Sequence, residues 1–110
     1  MTIDQLNALG ADTAQGLARC GNNEEFYLRL VGMALTQDSF SELEAKIAEN
    51  KLAEAFEAAH AFKGVLSNLA LTPICEPVCE ITELLRERKE TDYAPLLQKI
   101  LEEKKKFEAL

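Results

Sequence analysis

The stretch LAEAFEAAHAFKGVLSNLAL, Leu52 to Leu71, carries the only histidine of the chain, His60, with Lys63 and Gly64 one turn further on. An α-helix turns about 100° per residue, so its faces can be laid out from the sequence alone. With His60 at zero, Val65, Ala58, Leu69, Phe62, Ala55, Leu66 and Ala59 fill an arc from roughly 140° to 260°. That arc is almost wholly apolar and is the core face. His60 points the other way, beside Glu57, Gly64, Ser67 and Asn68, with Lys63 on a shoulder. The helix therefore displays its histidine to solvent.

The neighbours of His60 leave room around it. Ala53, Ala61 and Gly64 keep the backbone bare, and Phe56 and Leu71 are expected to add apolar surface along the flank. A glycine inside a helix costs about 0.5–1 kcal/mol relative to alanine, and its missing side chain admits another molecule close to the imidazole. Lys63, three residues on, is near enough to share a ligand with His60. A nucleophilic nitrogen beside an ammonium suits an anion such as a phosphoryl group. Taken alone, a single helical histidine is more often an ordinary residue, and Lys63 a solvated charge.

His60-Ala-Phe-Lys63-Gly64, followed by Ser67-Asn68-Leu69, resembles the H-x-x-K-G…A-N-L-G signature of histidine-containing phosphotransfer (HPt) domains. The upstream run from Gly16 through Leu17, Arg19, Gly21 and Glu25 to Tyr27 is similar to the family's G-L-x-R-x-G-G-x-x-E-x-Y segment. The likeness covers roughly residues 10 to 105 and has two blocks in order. It departs at Val65 and Leu66, which face the core, and at Ala70, where glycine is usual. Four substantial helices with narrow apolar stripes and short connections predict an antiparallel four-helix bundle, and the resemblance implies a phosphorelay role. His60 would be the phosphoacceptor and Lys63 would stabilise charge. Phe56, Glu57, Gly64, Ser67, Asn68 and Leu71 would meet the partner. It implies partners of two kinds, response-regulator receiver domains and a hybrid sensor histidine kinase, with magnesium held by the receiver and no cofactor of the chain's own. The alternative is a helical bundle that docks a receiver or kinase as scaffold or competitor without accepting phosphate.

Composition agrees with a soluble globular protein. The chain has 110 residues, 47% hydrophobic and 28% charged, enough for one domain with one core. Nineteen acids against twelve bases give a net charge of −7, which argues against a nucleic-acid binder. The basic cluster Lys104-Lys105-Lys106 falls where a helix ends and suits the helix dipole. There is no apolar run near 18 residues and no signal-peptide core, so a cytoplasmic monomer is expected. Cys20, Cys75 and Cys79 lack a framework spacing and are read as reduced thiols; zinc would need further ligands. No glycine-rich phosphate loop or carboxylate cluster for magnesium is present, so the chain is not expected to bind ATP or act as a kinase.

In chain order the pattern is helical throughout. Thr2 to Gln5 has capping-box spacing and opens a short helix ending near Gly10. Asp12 or Thr13 caps a second, closed by Gly21. Asn22 caps a longer one carrying Phe26, Tyr27, Leu30, Val31, Ala34 and Leu35 at helical spacing. Ser39 to Glu42 reads as another capping box, and Asn50 suits a left-handed close. The spacing leaves open whether 24–50 is one bent helix or two. The His60 helix is expected to run to Leu71, where Thr72-Pro73 stops it. Pro77 argues that the next regular helix begins near Glu76 and runs to about Lys89. Asp92 starts the last. The short N-terminal helices are expected to cover one end of the bundle.

Overall fold

The computed structural model describes residues 1–36 and 38–110, and among these it is all-helical. Its helices are α1 (Ile3–Ala8), α2 (Thr13–Arg19), α3 (Glu24–Thr36), α4 (Ser39–Ala48), α5 (Leu52–Asn68), α6 (Thr72–Arg86) and α7 (Ala94–Glu108). α5 packs on α4 and α6, and α6 packs on α7. The turns between these neighbours are short, which makes them antiparallel. α3 lies beside the C-terminal half of α5 and α4 beside its N-terminal half. Together they form one side of a four-sided bundle. The 24–50 region is thus two helices, with Gln37 between them outside the described residues.

The core follows the stripes read from the sequence. Ala55, Ala59, Phe62, Leu66 and Leu69 of the predicted arc are buried, and Ala58 and Val65 sit at its margin. From the other helices come Leu6, Tyr27, Val31, Leu43, Ile74, Val78, Ile81, Leu85, Ile100 and Phe107. No helix among the described residues is long and apolar enough to cross a membrane. None of the three cysteines is in a disulfide.

Several helix ends differ from expectation. The Thr2–Gln5 capping box is present, and Asp12 caps α2 through the Gln15 amide. For α3 the capping side chain belongs to Asn23, which accepts from the Phe26 amide at 3.0 Å. Asn22 instead takes a left-handed φ of 59°. The expected Ser39 box does not form: Asp38 precedes α4 and makes no side-chain cap. α6 begins at Thr72, not near Glu76, and runs through Pro77. The proline sits early in the helix and gives up only the bond its missing N–H would make to Pro73.

The main correction is at the end of the histidine helix. α5 stops at Asn68, and Ala70 turns the chain with φ 55°. The Ala70 amide then bonds Ser67 O and the Leu71 amide bonds Leu66 O, the Schellman pattern that closes a helix. Past that turn the helical wheel no longer applies. Leu71, expected on the outer flank, is fully buried in the core. It cannot touch a docked partner.

Candidate functional site

His60 lies midway along α5, exposed, on the face opposite Phe62 and Leu66. Its ring stacks on Phe56, with centroids 5.7 Å apart and planes inclined by 21°. The Phe56 ring is half-buried because α6 and its end reach over it. The Arg86 and Arg88 guanidinium carbons stand 5.0 and 5.3 Å from its centroid. Both distances are within cation–π range. Phe56, expected as an open docking side chain, is thus a shelf between the imidazole and two cations.

On the other side of His60, a cleft of about 290 Å³ is lined by Arg19, Lys63, Gly64, Ser67 and Asn68. Lys63 Nζ stands 4.0 Å from a Glu83 carboxylate oxygen, and the same carboxylate takes Arg86 Nε at 3.2 Å. Both groups are partly exposed, so the pairing is loose and Lys63 can turn to a new anion. Gly64 is exposed, and a Cβ built there would meet nothing within 4 Å. A second, more apolar groove of about 620 Å³ runs between α3 and α5 along Leu30, Met33, Gly64 and Val65, with His60 on its rim. Met33 there is 52% exposed. Glu57 is exposed but faces α4, where it lines a separate groove with Lys46 and Glu54.

The upstream block from Gly16 to Tyr27 has a physical task here. A helix leaves its last carbonyls without partners, and its C-terminal end carries partial negative charge. Arg19 donates to the carbonyls of Ser67 and Asn68, and the Tyr27 hydroxyl donates to Leu69 O at 2.9 Å. The Asp12 amide adds a bond to Ala70 O at 3.0 Å. α2 and the start of α3 therefore clamp the end of the helix that carries His60. Gly16 lets them come close, since a Cβ there would lie 2.5 Å from Tyr27 Cε1.

His60, Lys63, Gly64, Ser67 and Asn68 are thus brought together, while Glu57 and Leu71 are not. Sequence reasoning quoted Arg19 without giving it a place at the site, and it missed Met33, Arg86 and Arg88. Arg19 had a signal in the upstream block. The two arginines had none, because only the packing of α6 on α5 sets them beside Phe56.

Among the described residues the chain is an all-helical bundle that displays its one histidine between a cationic cleft and an apolar groove. Comparison with known families gives the class. The model of the Hpt domain matches residues 33–109, and the chain belongs to that family. Its members carry phosphoryl groups in two-component signalling, interacting with response-regulator receivers and kinases. The Gly16–Tyr27 block lies upstream of the matched residues. No curated protein and no solved structure matched the chain significantly.

Proposed function

We propose that the chain is a phosphorelay intermediate in which His60 takes a phosphoryl group from a receiver-domain aspartate and passes it to another. The observation that carries this reading is the exposure of His60 beside Lys63 and the open Gly64, in a chain of the Hpt family. An imidazole nitrogen attacks phosphorus as the bond to the aspartate oxygen breaks, and the return step reverses this. Such transfer needs mainly alignment and charge stabilisation. The α5 scaffold and the Phe56 stack hold the ring, and Lys63 and Arg19 line the cleft where phosphoryl oxygens would gather. The receiver brings the magnesium, and its loop approaches over Gly64. A hybrid sensor kinase is the upstream source of phosphate in this reading, and residues 1–110 act as one domain in monomeric form.

The test is to mix the protein with several phosphorylated receivers. The wild type should gain an acid-labile, base-stable label, as phosphoramidates do, and His60→Gln should gain none while melting within about 0.5 kcal/mol of wild type, as exposed substitutions do. Binding of receivers without any label on the wild type would leave only the scaffold alternative. Label on the glutamine variant would remove His60 as the acceptor.

A further inference from the structure

Cys75 and Cys79 lie one turn apart on α6, both half-buried, with their sulfurs 3.5 Å apart. They open onto a cleft of about 290 Å³ whose walls include Arg19, Ser67, Thr72 and Glu76. Two sulfurs are too few for a metal: a zinc site needs further ligands, and among the described residues no group of three or more suitable side chains forms. They are enough for a disulfide. Residues four apart on a helix have Cα atoms about 6.2 Å apart, inside the 4.4–6.8 Å that disulfides span; their Cβ atoms, about 5–6 Å apart, must close to about 4.5 Å and the sulfurs by about 1.5 Å, so the bond requires this turn to tighten. Pro77 lies between the two cysteines and has no N–H to hold that turn to Pro73, so one restraint on tightening it is already absent.

We propose that Cys75 and Cys79 form a redox modification site, a dithiol that a peroxide converts into an intrahelical disulfide. The contact between the two sulfurs carries the proposal, since whichever is oxidised first already touches the thiol that resolves it. One cysteine sulfur attacks a peroxide oxygen, the O–O bond breaks, and the thiol proton leaves with the departing oxygen as water. The resulting sulfenic acid lies in contact with the other cysteine. That second sulfur attacks it, the S–O bond breaks, and a second water carries off the remaining thiol proton. Two thiols lose two electrons and one peroxide gains them. A bond that tightens a helical turn is strained and therefore readily reduced again by thiols.

The experiment treats the full chain with hydrogen peroxide, then alkylates it under denaturing conditions and reads the intact mass. The expected product has only Cys20 alkylated and is lighter than the reduced chain by two hydrogens before alkylation, a loss of two of three free thiols that dithiothreitol restores. Cys75→Ser and Cys79→Ser should each lose the disulfide and stop at a sulfenic acid on the remaining cysteine of the pair, captured by dimedone. Three alkylated cysteines after peroxide, or a disulfide that includes Cys20, would overturn the proposal.

Discussion

Gly64 and Gly16 both sit inside helices, and opposite demands put them there. At Gly64 an added methyl group reaches open space, so Gly64→Ala should stabilise the protein by about 0.5–1 kcal/mol through helix propensity alone. The same substitution narrows the approach to His60. Transfer from a phosphorylated receiver should slow in Gly64→Ala and slow further in Gly64→Gln, with both melting at or above wild type. Equal transfer rates in the glutamine variant would mean that no partner backbone comes near that position. At Gly16 the methyl group would press on Tyr27 Cε1 at 2.5 Å and on Leu69 O at 2.8 Å. The carbonyl cannot move without α5, so Gly16→Ala should cost roughly 1–3 kcal/mol, as overpacking does. A thermal melt unchanged from wild type would refute the close approach. The helical wheel made Gly64 legible from the sequence because its neighbours are local. Gly16 was visible only as a letter in a block, since what crowds it comes from residues far along the chain.

Helix ends show a regularity that composition conceals. α1, α2, α4, α5 and α6 all close through a residue of positive φ: Gly10, Gly21, Asn50, Ala70 and Arg88. In each, the amide of that residue and the next return to carbonyls of the last turn, as at Asn50 and Lys51 with Ile47 O and Lys46 O. Glycine and asparagine announce such a turn in a sequence, and the endings at Gly10, Gly21 and Asn50 were legible for that reason. Alanine and arginine do not, which is why α5 seemed to extend to Leu71 and placed that side chain outside. A left-handed alanine is strained by about 1–2 kcal/mol, part of which glycine loses again in chain entropy. Ala70→Gly should therefore stabilise by about 0.5–1 kcal/mol, read as a higher urea midpoint at unchanged slope. A lower midpoint would show that the Ala70 methyl, which is buried, contributes more by packing than the turn loses by strain.

Over the whole molecule, 41 Å long and 24 by 19 Å across, charge is distributed unevenly. The chain carries a net charge of −7, yet Arg19, Lys63, Arg86 and Arg88 converge on the surroundings of His60. The sequence showed the acidity and not the convergence, because those four residues come from three helices and one turn. Acid stability has a local source as well. Lys99 hydrogen-bonds Glu103 at 3.0 Å, and Lys106 does so at 3.1 Å, which holds this buried carboxyl below its ordinary 4.5. A depressed folded value stabilises above the unfolded one and is lost as pH falls through the folded one. Glu103→Gln should thus be less stable than wild type at neutral pH by about 0.5–1 kcal/mol, since both lysines are exposed. The gap should shrink as pH drops below about 4.5. A gap that is constant with pH would mean the glutamine disturbs packing and not charge.

The two tyrosines give the bundle an optical label at each end. The chain has no tryptophan, so its near-ultraviolet signal comes mainly from Tyr27 and Tyr93. Both rings are buried, and each hydroxyl donates to a backbone carbonyl, Tyr27 to Leu69 O and Tyr93 to Lys89 O. Burial holds both phenols above their ordinary 10, so near pH 10, where a free phenol is about half ionised, each stays more protonated while its end of the bundle is closed. Tyr27 reports on the end where α5 finishes, and Tyr93 on the opposite end, near Asn50 and Leu52. At that pH, fraying at either end frees one phenol to ionise and absorb at longer wavelength. Replacing one tyrosine by phenylalanine then assigns the signal, and the chain reports without an attached dye which end opens first.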